Sequence, residues 1–238
     1  MPQLPRFTLA VFLISHAFAS AAPLIRVLAW DAPVAARKLA LASGGSVVEI
    51  TGMHPEKRTS QIQLKGDGPI QLRALDRKNA EGKAAERACT IPATMAHPLL
   101  LLMADAADPT GLRVIVFDDD PAGFHWGSYR FLNATPKELV VQLEKKVVRV
   151  PTGWVPVDLD LGGETRGIGA RLALAEAMEK PLYSAVWEYD TGIRTLCFIV
   201  PGADPQIAPV AMKAVPEDRR TLELESKARK DKPSTPSP

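Results

Sequence analysis

Apolar residues recur in short runs along this chain, and Gly, Pro and Asp cut the runs apart. The clearest run is Val155, Val157, Leu159 and Leu161, which alternate with Pro156, Asp158 and Asp160. A period of two places one face of a strand in a core and the other in water. The same reading predicts strands over residues 24–30, 38–41, 46–50, 62–64, 70–75, 127–133, 139–143 and 146–150. Ser43-Gly44-Gly45 and Glu144-Lys145 carry hairpin signals between neighbouring strands. Residues 76–88 are highly polar and read as an exposed loop or a single helical turn. Residues 171–180 hold helix-favouring Ala, Leu and Glu, but Leu172, Leu174 and Met178 alternate with small residues, which favours a strand.

One pattern occurs twice. Pro98-Leu99-Leu100-Leu101-Leu102-Met103 leads through Gly111 to Leu112-Arg113-Val114-Ile115-Val116-Phe117. Pro181-Leu182-Tyr183-Ser184-Ala185-Val186-Trp187 leads through Gly192 to Ile193-Arg194-Thr195-Leu196-Cys197-Phe198. Pro, Leu, Gly, Arg and Phe return in order, and each copy predicts a strand, a Gly-bearing turn and a second strand, the β-hairpin that closes each of two related units. The front edges match as well: a strand ending at Asp31-Ala32-Pro33 and another ending at Ala134-Thr135-Pro136. A residue before Pro is pushed to extended geometry, so both prolines suit a strand exit.

These observations predict an all-β chain of two tandem immunoglobulin-like β-sandwich units, 22–120 and 121–205, derived from an internal duplication and packed closely. Only the short linker at Asp118-Asp119-Asp120-Pro121-Ala122-Gly123 separates them. A shared core for both units is the alternative arrangement. Residues 206–238 lose periodicity and end in Pro-Ser-Thr repeats, which predicts a disordered C-terminal tail.

The N-terminus changes the compartment. Arg6 precedes a short apolar stretch over residues 7–14, and Ala17-Phe18-Ala19 and Ala19-Ser20-Ala21 both offer small residues at cleavage positions. Residues 1–21 therefore read as a secretory signal peptide, with export to the periplasm or the cell exterior. The apolar stretch falls short of the roughly 20 residues a membrane span needs, and no later run reaches that length. Cys89 and Cys197 are the only cysteines. In an exported chain they are candidates for one disulfide, and Cys197 also suits a plain core position.

Candidate chemistry is sparse. A net charge of +2 is too small to argue for nucleic acid. His54, Cys89, His97 and Met103 follow the ligand order of a blue-copper site, but their spacing is too long for one ligand loop. Asp118, Asp119 and Asp120 suit a hard cation or a solvated turn. Asp158 and Asp160 lack an opposed carboxylate across a cleft. Asn133-Ala134-Thr135 fits the N-glycosylation pattern. No motif calls for a cofactor. The aromatics Trp154, Tyr183, Trp187 and Tyr189 are concentrated in the second unit, where they form a recognition surface or fill a core.

The frame from Gly127-Ser128-Tyr129-Arg130-Phe131-Leu132-Asn133 to Ile193-Arg194-Thr195-Leu196-Cys197-Phe198-Ile199-Val200-Pro201-Gly202 resembles a family of exported bacterial proteins with tandem β-sandwich units. The resemblance spans residues 24–205 and implies architecture only, with no activity or catalytic residue. The sequence thus leads to an exported, non-catalytic protein with a binding or scaffolding role in the cell envelope. The sequence does not identify the partner, which stands open between another envelope protein and a glycan. The alternative is a carbohydrate-binding module that uses Trp154, Tyr183, Trp187 and Tyr189 on a glycan.

Overall fold

The computed structural model describes residues 22–230 except residue 67. The expected signal segment, 1–21, lies outside the described residues, as do residues 231–238. The first half contains β1 (Arg26–Ala29), α1 (Ala32–Ala35), β2 (Leu39–Ser43), β3 (Ser46–Glu49), β4 (Gln71–Lys78), β5 (Ala84–Ala88), β6 (Pro98–Ala104) and β7 (Leu112–Asp118). The second contains β8 (Ser128–Asn133), β9 (Leu139–Leu143), β10 (Lys146–Val150), β11 (Val157–Asp160), β12 (Arg166–Leu174), β13 (Pro181–Tyr189), β14 (Ile193–Asp204), β15 (Ala208–Asp218) and α2 (Arg219–Lys230). The protein is mostly β, in four sheets.

Each half builds two sheets by the same route. The strand orders are β3-β2-β4-β5 and β1-β6-β7 in the first half, and β10-β9-β12-β13 and β11-β8-β14-β15 in the second. The opening strand of each half joins its sheet in parallel, β1 on β6 and β8 on β14. All other pairings between strands are antiparallel.

Side-chain alternation divides the interior into three cores. Val27, Ala29, Leu100 and Leu102 point at Leu39, Leu41 and Leu72 of the facing sheet. Tyr129, Phe131, Cys197 and Ile199 point at Leu139, Val141, Ile168 and Leu172. The opposite faces of the same strands form the third core: Leu28, Leu99, Leu101 and Phe117 meet Phe124, Leu132, Leu196, Phe198 and Val215. The sheets therefore stack in four layers, with β1-β6-β7 and β11-β8-β14-β15 in the middle. This position explains the unbroken run Leu99-Leu100-Leu101-Leu102, in which all four residues are buried. A strand covered on both faces reads as continuously apolar. Each such Leu stabilises the fold by about 1.5–3 kcal/mol through burial.

Four expectations are corrected. The segment over 181–198 is no hairpin. β13 pairs with β12 and β14 pairs with β8 and β15, so Gly192 carries the chain from one sheet to the other. The true counterpart of the β6–β7 hairpin is β14–β15. Residues 208–230, expected within a disordered tail, form β15 and α2. β15 holds its place because Val215 is buried in the middle core while Val210 and Met212 pack against the second core. The polar stretch over 76–88 is the tip of the β4–β5 hairpin, turned by Asn79, whose Oδ1 accepts from the backbone N–H of Glu81 and Lys83 at 3.0 Å each. Finally, Cys89 and Cys197 are free buried thiols, and no disulfide joins them, because the first packs in one outer core and the second in the other.

Candidate functional site

β13 and β15 are the last strands of their sheets, so each has one backbone edge without a strand partner among the described residues. Between them a groove of about 490 Å³ opens into the second core. Tyr129, Thr195 and Cys197 lie at its floor, Tyr183 and Trp187 on the β13 wall, and Val210 and Met212 on the β15 wall. Glu188 and Asp190 line it towards the end of β13.

The aromatic residues here brace one another. The Trp187 indole N–H donates to the Tyr183 hydroxyl at 3.0 Å. The Trp187 ring lies 5.6 Å from Tyr129 and 6.5 Å from Phe131. The Tyr129 hydroxyl donates to the Glu188 carbonyl at 3.2 Å. Burial, with smaller contributions from Cys197 and Tyr189, pushes the Tyr129 phenol up to about 12. Burial also raises the Cys197 thiol far above its usual value. Both floor groups stay protonated and neutral, and a thiol in that state is a poor nucleophile.

Of the four aromatic candidates, the structure brings Tyr183 and Trp187 together in this groove. Tyr189, two residues on, turns inward and is 2% exposed. The Arg166 guanidinium covers its ring at 4.9 Å. Gly127 allows this packing, since a Cβ there would stand 2.9 Å from the Tyr189 hydroxyl. Trp154 lies on the other side of the β8–β14 sheet, in the middle core. It meets Trp30 at 5.9 Å and Phe198 at 6.1 Å, with a positive φ of 66°. A non-glycine residue held in that region costs of order 1–3 kcal/mol, and packing between Trp30 and Phe198 offsets it.

A second constellation joins residues far apart in sequence. Arg26 of β1, Arg58, Asp119, Arg194 of β14 and Glu217 of β15 form an ion network beneath the surface. Arg58 grips Asp119 with both arms of its fork, Nε at 2.9 Å and Nη2 at 3.2 Å. Arg194, fully buried, reaches Glu217 Oε2 from Nε at 2.8 Å and from Nη2 at 2.6 Å. Its Nη1 donates to the carbonyls of Asp119 and Phe124 at 3.1 Å each. Arg26 pairs with both carboxylates. Burial opposes ionisation of Asp119 and Glu217, but Arg58, Arg26 and Arg194 outweigh it and hold both carboxyls below their usual values. Burial lowers the Arg194 guanidinium despite the same carboxylates.

Other candidates have local jobs. Asp119 is turned into this network, while Asp118 and Asp120 accept backbone N–H groups two residues on, at 3.2 and 2.9 Å. Asp158 holds Arg130 at 2.6 Å, and Asp160 accepts from the Gly162 N–H at 3.0 Å. Asn133 is fully buried and both ends of its amide are occupied, by the carbonyl of Lys137 and the N–H of Thr135 at 2.8 Å each. Among the described residues no three His, Cys, Asp or Glu side chains converge as a metal ion would need, and no helix is long and apolar enough to cross a membrane. Compared with known proteins, the chain matches no family model and no curated relative.

Proposed function

We propose that the protein is an exported, non-catalytic binding module of the cell envelope, made of two immunoglobulin-like units that arose by duplication. Its groove between β13 and β15 takes an extended apolar segment of another envelope protein. The observation that carries this reading is the pair of unpartnered strand edges flanking an apolar groove. An extended peptide satisfies such an edge through its backbone while alternate side chains enter the groove. Glu188 and Asp190 favour a segment with a basic residue at that end. Duplication is supported by the repeated strand order and by the parallel entry of β1 and β8. Export rests on the N-terminal segment of the sequence.

The glycan reading draws on Tyr183 and Trp187 alone, because Trp154 and Tyr189 are engaged elsewhere. Trp187 also packs its ring against Tyr129 and Phe131, which favours a peptide over a stacked sugar. The test is a panel of strand-length apolar peptides, with and without a terminal Lys, run beside a panel of glycans and read by tryptophan fluorescence. Peptide binding that is lost in Met212→Arg is the expected result. Responses to glycans alone would turn the reading to the sugar module, and silence towards both panels would remove the groove as a site.

A further inference from the structure

The buried ion network is one negative charge short. Arg26, Arg58 and Arg194 bring three guanidiniums, while Asp119 and Glu217 bring two carboxylates. Arg130, nearby on β8, is already matched by Asp158. The shortfall shows at one atom. Arg58 is 5% exposed, and its Nη1 has no hydrogen-bond acceptor among the described residues. A buried donor without a partner costs about 1–3 kcal/mol, more when it carries charge.

A pocket of about 800 Å³ opens against these same residues. Arg26, Arg58 and Glu217 form its wall, and α2 borders it through Thr221, Leu222 and Glu223. Lys57, bonded to Glu225 at 2.9 Å, ties the 54–61 segment to α2 across the rim. This volume falls in the range of small-ligand sites.

We propose that this pocket binds a ligand through a single carboxylate, seated against Arg58 and Arg26. Three features select that chemistry. One unit of negative charge completes the network, whereas a phosphate dianion over-compensates it. The planar guanidinium fork matches a planar carboxylate, as it already does at Asp119. The rim holds four carboxylates, Glu56, Asp218, Glu223 and Glu225, against two lysines, Lys57 and Lys227, a net negative border that repels polyanions and leaves the rest of the ligand neutral or cationic. A free carboxylic acid and the C-terminal carboxylate of a peptide both present this chemistry.

The test uses the full protein with four probes: acetate, trialanine, trialanine amide and inorganic phosphate. Thermal melting and calorimetric titration read binding, since a ligand of the folded state raises the melting temperature by mass action. Trialanine should raise it by several degrees and its amide should not. Acetate acting as well as trialanine identifies a free acid as the source, and trialanine acting alone identifies a peptide end. Arg58→Gln, checked by circular dichroism, should abolish the shift. The acid and amide contrast is made on the unaltered chain, so it stands even where Arg58→Gln does not fold. Equal shifts from acid and amide, a stronger response to phosphate, an undiminished shift in a folded Arg58→Gln, or no response to any probe would each overturn the proposal.

Discussion

Arg26 in the first strand and Glu217 in the last form an ion pair across 191 residues of chain, with both side chains largely buried. The pair fixes β15 to β1 and so joins the two halves at their far ends. Lys213 adds to the same seam, donating to the Trp30 carbonyl and lying 4.9 Å from the Trp30 ring.

Asp119 is the hub of that seam, and Asp119→Asn should destabilise the protein by about 3–5 kcal/mol, because it leaves three buried guanidiniums to one carboxylate. Denaturant unfolding measures this. The exposed neighbour serves as control: Asp118→Asn should change stability by less than about 0.5 kcal/mol.

Acid should weaken the fold through the same groups. The Asp119 and Glu217 carboxyls sit below the usual 3.8 and 4.5, so the unfolded chain takes up these protons at higher pH than the folded one. Their stabilisation is complete above about pH 5 and is lost as pH falls through the unfolded values towards the folded ones. Urea midpoints taken from pH 6 to pH 3 should show the decline, and its slope should flatten in Asp119→Asn. An unchanged slope in that variant would place the acid sensitivity elsewhere.

Leu101→Asp should cost several kcal/mol by burying a charge in the middle core. Leu101 faces both halves, so calorimetry should show the two halves losing stability together. A mutant in which the second half melts as before would mean that the middle core does not couple them.

Truncation separates strand from helix. A chain ending after Asp218 keeps Val215 and Glu217 and should melt like the full chain. A chain ending after Gln206 loses β15 and should fail to fold cooperatively. Similar melting for both would show that β15 contributes nothing to the stack.

Trp154→Ala and Trp187→Ala should diverge. The first removes a partly buried wedge from the middle core and should cost about 3 kcal/mol, the low end for a tryptophan truncation, with peptide binding intact. The second strips the groove wall and should abolish peptide binding with a smaller loss of stability. Fluorescence titration and thermal melting on both variants check this.

The sequence disclosed most strands, because each alternates or is apolar throughout. Where it misled, the local signal was ambiguous in a physical way. A strand, a glycine turn and a strand look alike whether the second strand pairs with the first or crosses to the facing sheet, as happens at Gly192. β15 was hidden by Pro209 and Pro216, residues a central strand does not tolerate but an edge strand does. The β4–β5 tip was hidden by its exposure, since strands that leave the core carry no apolar alternation. Composition offered Trp154, Tyr183, Trp187 and Tyr189 alike, because which aromatic lines a groove and which fills a core depends on strand pairing that no single window of sequence carries. The arginine network joins residues from five separated segments, so no window of sequence contains it. Its one trace was Arg26 and Arg194 standing among apolar neighbours, where an unpaired charge is almost never fully buried.

The contact of Arg26 with Glu217 also brings the start of β1 beside the end of β15. The four layers thus behave as a nearly closed ring of chain. A short linker from residue 218 to residue 24 would complete the ring, and a new opening at the exposed turn Gly162-Gly163 would leave every sheet pairing in place. A circular permutant of that design would inherit the whole stack, and the second half would leave the ribosome in two pieces, β12–β15 first and β8–β11 last, with the whole first half between them.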